Sequence, residues 1–221
     1  MTPNPAPALR EYMNISRRIY TQNCSPRRQG LAPIAIVLHV TDNTAESAFF
    51  HFMNPKSQVS AHYITPRNGE VWQMASTDLS AWHAGRVYKP TSRMVLEREP
   101  NRIAGRYNPN DWTIGIEVEW KQGQTITDAQ YDALYQLVDH LTKMFDIAVD
   151  RIHIFGHREV YALKWCPATL DIERIIRGVL NLRSPGVQVA PVPEPPLVQL
   201  NAIQLQILRI KEALSMLLQG K

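Results

Sequence analysis

Apolar positions fall into short continuous runs and longer helical stripes. IAIVLHV at 34–40 is a continuous apolar run rich in β-branched residues, the pattern of a strand buried on both faces. It ends in the polar cluster TDNT, where Thr44 can cap a helix running from Ala45 to about Met53. Ala45, Ala48, Phe49 and Phe52 would face inward, and Pro55 would stop that helix. SAHYITPRNGEVWQM at 60–74 alternates on either side of Asn68-Gly69 and predicts a hairpin. TIGIEVEW at 113–120 predicts a strand with Ile114, Ile116, Val118 and Trp120 on one face and Glu117 and Glu119 on the other. Helical spacing is clearest over 128–145, through Tyr131, Leu134, Leu137, Val138, Leu141 and Phe145, with a capping box from Thr127 and Gln130. RIHIF at 151–155 predicts another short strand, and about 169–182 a last core helix.

Strands and helices alternate, which predicts an α/β fold with a central mixed sheet flanked by helices over residues 31–184. Residues 84–111 are rich in Gly, Pro, Asn and Arg and read as a long irregular loop, a length usually reserved for function. Residues 1–30 read as a basic N-terminal arm that wraps onto the domain. Residues 185–196 form a Pro-rich, extended linker. Beyond it, Leu200, Ile203, Ile207, Ile210, Leu214 and Leu217 follow a heptad pattern and predict an amphipathic helix in 197–221. That stripe is a candidate for self-association, with folding back onto the domain or lying on a membrane as alternatives.

Composition narrows the class. The chain has 221 residues, 44% hydrophobic and 20% charged, which is globular. It lacks the roughly 18 or more consecutive apolar residues of a membrane span. The N-terminus lacks the apolar core of a secretory signal, so synthesis in the cytoplasm is expected, with delivery by other means if the substrate lies outside the membrane. The net charge of +4 is concentrated at the start, where residues 1–30 carry five Arg against one Glu. This arm is either a solvated segment or a weak attraction for an anionic polymer. Neither zinc-finger spacing nor interleaved basic and aromatic residues is present, so no nucleic-acid partner is expected.

Chemistry concentrates at strand ends. His39 closes an apolar run that has no other use for an imidazole, and Glu117 interrupts the middle of another strand. His157 follows RIHIF, and KWCP supplies Lys164 and Cys166. Two Cys do not make a disulfide framework. Two imidazoles and a thiolate suit zinc, and three protein ligands leave a fourth position for water. His62 and His153 read as structural, and Cys24 as an inert thiol.

IVLHVT at 36–41, SAHYITPRNGEVWQM at 60–74, AWHAG at 81–85, TIGIEVE at 113–119, GHREV at 156–160 and KWCP at 164–167 occur in one order with family-like gaps. Over about residues 30–182 the chain resembles the type 2 N-acetylmuramoyl-L-alanine amidases, which share their fold with peptidoglycan recognition proteins. The resemblance implies a zinc ion on a mixed sheet and cleavage of the amide between N-acetylmuramic acid and L-alanine in peptidoglycan. It implies His39, His157 and Cys166 as the metal ligands, Glu117 as the proton-transfer residue and Lys164 as a second catalytic residue. His83, Trp82 and Asn108 are candidates for substrate contact, with loop anchoring as the alternative for His83 and loop packing for Trp82. Two positions depart from common members. Val40 follows His39 where many have His or Asn, and Ala61 stands where some phage members carry a Tyr. The absence of that Tyr is why proton transfer is assigned to Glu117.

An endolysin-like enzyme that degrades the wall is the leading expectation. A cytosolic amidase recycling wall fragments and a non-catalytic peptidoglycan-binding module are the alternatives; Cys166 argues against the latter. Glu117 and Glu119 on one strand face would also suit a glycosidase pair, but that reading leaves the metal-capable residues unexplained.

Overall fold

The computed structural model describes residues 14–28, 31–98 and 108–184. Eight strands and four helices follow one another: β1 (Arg17–Arg18), β2 (Cys24–Pro26), β3 (Ala35–Val40), α1 (Ala45–Met53), β4 (Tyr63–Thr65), β5 (Trp72–Gln73), β6 (Leu79–Ala81), α2 (Arg93–Arg98), β7 (Thr113–Val118), α3 (Asp128–Phe145), β8 (Ile154–Gly156) and α4 (Ile172–Arg183). Six strands form one sheet in the order β1-β5-β4-β7-β3-β8. Only β4 and β5 pair antiparallel within it. This is the mixed sheet the alternation predicted. β2 and β6 make a separate antiparallel pair.

β3 lies between β7 and β8, and all six of its residues are buried. Its continuous apolar run therefore meets packed side chains on both faces. On one side Ala35 and Val37 join Trp112, Phe155 and Val160. A second cluster gathers Ala45, Ala48 and Phe52 of α1 with Ile64, Trp72 and Met74, and Phe49 packs against it. Thr44 caps α1 by accepting the Ser47 N–H at 3.1 Å. Thr127 and Gln130 close the capping box of α3. The hairpin turns through Gly69 at φ +82°, close beneath the Ala129 carbonyl of α3.

Several expectations are corrected. RIHIF is not a strand over 151–155. Asp150 accepts the N–H groups of Ile152 and His153, which turns the chain and delays β8 to Ile154. The last helix starts at Ile172 because Asp171 caps it by accepting the Arg174 N–H. The segment 84–111 is not wholly irregular: it contains α2 and a short 3-10 turn, Pro109–Asp111. Within the expected arm, residues 14–28 add β1 to the edge of the sheet and pair β2 with β6. The linker 185–196 and the heptad stretch 197–221 lie outside the described residues. Among the described residues no helix is long and apolar enough to cross a membrane.

Candidate metal centre

Strand parity builds one side of the site. His39 on β3 registers with Glu117 on β7, so both project from the same face of neighbouring strands. Thr113 and Gly115 share that face of β7, four and two residues earlier. The other side comes from the chain beyond β8. His157 opens a short 3-10 turn whose partner Glu159 accepts the Gly156 N–H at 2.8 Å and is held by Arg151 at 3.0 Å. Cys166 returns to the same place through a cis bond to Pro167. Pro167 packs so closely on Gly156 that a Cβ there would come within 2.4 Å of its ring, so glycine lets the two loops meet. The Arg158 N–H also donates to the Cys166 carbonyl at 2.8 Å.

The structure brings one donor atom each of His39, His157 and Cys166 within 4.8 Å of one another. His39 Nδ1 and His157 Nδ1 face each other at 3.1 Å. The Cys166 sulfur accepts the Val40 N–H at 3.3 Å. Two ring nitrogens and a thiol converging at one point fit a thiophilic divalent metal. Among the described residues this is a group able to hold such an ion.

Burial decides the charge states of the metal-free site. Desolvation holds His39 well below the ordinary histidine range, aided by coupling to the neighbouring His157 ring and by the charge of Lys164. Burial and Lys164 lower His157 to about 4. Both rings are thus neutral and offer lone pairs at physiological pH. Burial pushes the Cys166 thiol up to about 12, with Glu117 adding to the rise. Glu117 is raised to about 8 by burial, against the pull of Lys164. Its Oε2 is buried without a hydrogen-bond partner. Such an orphaned oxygen is costly in a core and useful in a reaction site. Lys164 is exposed at the rim beside Leu163 and Trp165, and Trp165 tilts against Trp120 at 5.3 Å between ring centroids.

The other candidates have protein partners. His83 Nδ1 lies 3.1 Å from His39 Nε2, and His83 Nε2 lies 3.2 Å from Thr113 Oγ1. Both nitrogens are thereby engaged inside the protein, which is the anchoring alternative. Trp82 Nε1 donates to Ser25 Oγ at 3.3 Å. Asn108 accepts the Asn110 N–H, and Asn110 in turn accepts the N–H groups of His83 and Ala84. Glu119 accepts the Arg67 N–H at 3.0 Å, so it serves the hairpin and not an acid pair with Glu117. His62 is buried, accepts the Gly115 N–H on Nδ1 and meets the Leu79 carbonyl with Nε2. His153 pairs with Asp150 at 2.7 Å. Thr113 and Gly115 were not singled out from the sequence. A glycine inside an apolar strand is the signal that points to them, because it marks a close approach.

The family model described as N-acetylmuramoyl-L-alanine amidase matches residues 29–169. A 1,6-anhydro-N-acetylmuramyl-L-alanine amidase, AmpD, of Haemophilus influenzae is 36% identical over 104 residues, covering 47% of this chain and 48% of the relative. The chain spans about half the length of the curated relatives it matches. A crystal structure of an AmpD derivative superposes with a TM-score of 0.59 at 25% identity, over 76% of this chain and 96% of that one. The solution structure of the PlyG catalytic domain gives a TM-score of 0.56 at 18% identity, over 79% of this chain and 98% of that one, a likeness of fold.

Proposed function

The chain belongs to the N-acetylmuramoyl-L-alanine amidase family, and on that premise we propose that it hydrolyses the amide between the lactyl group of N-acetylmuramic acid and L-alanine, with zinc as its metal. The observation that carries this reading is the meeting of His39, His157 and Cys166 within 4.8 Å, on the strand face shared with Glu117. Those three residues would hold the ion. When bound, zinc would supply a Lewis acid, activate water near neutral pH and favour the ionised form of Glu117.

The remaining roles belong to the chain. Glu117, with an unpartnered oxygen facing the site, accepts a proton from the attacking water. It then delivers that proton to the departing amine. The water oxygen joins the carbonyl carbon, the C–N bond breaks, and the products are a lactyl carboxylate and a peptide with a free N-terminal L-alanine. Lys164 places a positive charge at the rim, where it counters the oxyanion that develops on the carbonyl. Neutral His39 and His157 keep their lone pairs available to the ion.

The intact wall is the proposed substrate. An exposed rim of Leu163, Lys164 and Trp165, together with the exposed Arg18 and Arg28, supports a polymeric, anionic target. A second reading, cleavage of soluble 1,6-anhydro fragments, is favoured by the likeness to AmpD. Digestion of purified sacculi and of soluble anhydro-muropeptides, followed by N-terminal analysis, tests both. New N-terminal alanine from sacculi supports the wall reading, and release from fragments alone supports recycling. No new alanine from either, with zinc bound, would overturn the amidase reading in favour of a binding module. Loss of bound zinc in Cys166→Ser is expected; a parental zinc content there would overturn the ligand set.

A further inference from the structure

We propose that His83 is a positioning residue for the metal site, accepting the Nε2–H of His39 so that His39 presents its Nδ1 lone pair to the ion. The inference rests on the reading of His39, His157 and Cys166 as the ligand set.

The direction of the chain of hydrogen bonds follows from its far end. The Pro109 carbonyl can only accept, and Thr113 Oγ1 lies 2.7 Å from it. The single hydroxyl proton of Thr113 is spent there. Thr113 therefore meets His83 Nε2, at 3.2 Å, as an acceptor, and His83 carries its proton on Nε2. A His39 that turns Nδ1 to the ion carries its own proton on Nε2, so His83 Nδ1 is the lone pair left to accept it. That lone pair faces His39 Nε2 at 3.1 Å and takes its N–H. His39 is left with an unprotonated Nδ1, which is the nitrogen aimed at His157. One carbonyl thus sets the tautomer of a ligand two side chains away.

Three features hold His83 where this requires. Its ring lies flat on Gly115, where a Cβ would sit 2.5 Å from His83 Cγ. Asn110 Oδ1 accepts the N–H groups of His83 and Ala84, at 3.1 and 2.7 Å. The ring of His62 abuts it edge-on at 5.6 Å between centroids. A loop residue gripped on three sides suits a fixed hydrogen-bond partner, and such partners commonly change metal affinity by about 10–100-fold when removed.

The test compares His83→Phe, which keeps a ring and loses both nitrogens, with His83→Asn, whose Oδ1 can take the place of Nδ1. Zinc affinity is read by competition with a chromophoric chelator. The tautomer of His39 is read in the metal-free parent by long-range proton–nitrogen NMR of the imidazoles. His83→Phe is expected to bind zinc about 10–100-fold more weakly, His83→Asn to recover most of that loss, and the parent to show His39 protonated on Nε2. A folded His83→Phe chain with parental zinc affinity overturns the proposal, as does a parent with His39 protonated on Nδ1. If His83→Phe does not fold, the parent spectrum alone decides. A parent that binds no zinc but shows the Nε2–H tautomer would overturn the metal reading and leave the relay standing, so the two failures are separable.

Discussion

Glu117 holds a proton that an exposed carboxyl would have lost. Burial lifts it from an ordinary 4.5 to about 8 in the metal-free chain. The folded state therefore binds that proton more tightly than the unfolded state between these values. The contribution of Glu117 to stability falls as pH rises through this window, by about 5 kcal/mol in total, while the buried neutral rings of His39, His62, His83 and His157 contribute in the opposite sense. Urea melts of metal-free protein at about pH 5 and pH 8 isolate it by comparison: Glu117→Gln should lose less stability, or gain more, than the parent between the two. The same variant should keep zinc and lose about 10²–10⁴-fold in turnover; parental turnover would remove Glu117 from the reaction. Cys166 makes a complementary prediction. Its thiol, raised to about 12, has to ionise to ligate, whereas the neutral imidazoles release nothing. Zinc titration calorimetry in buffers of different ionisation enthalpy should report proton release, with a contribution that disappears in Cys166→Ser. These residues were legible because each violates its surroundings: an imidazole ends an apolar run, and an acid sits inside TIGIEV. Thr113 and Gly115 violate nothing so plainly. Their importance comes from His83, which reaches them from another part of the chain.

At the scale of elements, legibility followed length and local signals. β3, α1 and α3 carry their patterns over six, nine and eighteen residues, and the two helices carry their own caps. β1 and β5 have two residues each, β2 and β6 three, and pairing with distant segments is what makes them strands. No periodicity can be read in so short a stretch. RIHIF misled because its apolar content was right while Asp150 turned the backbone beneath it. β7 shows what pattern alone conceals. Its apolar positions fix its depth in the sheet, but Gly115 fixes what can lie on its face. Gly115→Ala would drive a methyl group into the His83 ring. We expect a loss of about 1–3 kcal/mol in stability, seen in chemical denaturation, together with weaker zinc retention. An unchanged zinc affinity in that variant would show that His83 can move without consequence for the ion.

Across the described molecule, the segment before residue 29 reaches further inward than its basic composition implied. Thr21 and Asn23 are buried, and the Asn23 amide donates to the carbonyls of Phe52 and Asn54 at the end of α1 and of Val59 beyond it. Arg27 donates to the carbonyls of Thr77, Asn110 and Thr113. Burial lowers its guanidinium to about 10 despite Asp111 and Asp78. Part of what charge counting assigned to a solvated arm is thus internal wiring, a distinction composition cannot make. Arg27→Ala strands buried acceptors and should cost about 1–3 kcal/mol, detectable as a lowered melting temperature; an unchanged melt would mean water replaces the guanidinium freely.

The position of Arg27 has a practical consequence for modular engineering. The family match begins at residue 29, two residues after it. A graft trimmed to that homology boundary would discard the clamp on the Asn110 and Thr113 carbonyls, and with it a support of the loop that carries His83. Chimeras that place this domain behind a foreign targeting module should therefore make their junction upstream of Arg17, so that the transplanted piece brings its own edge strand and fastening with it.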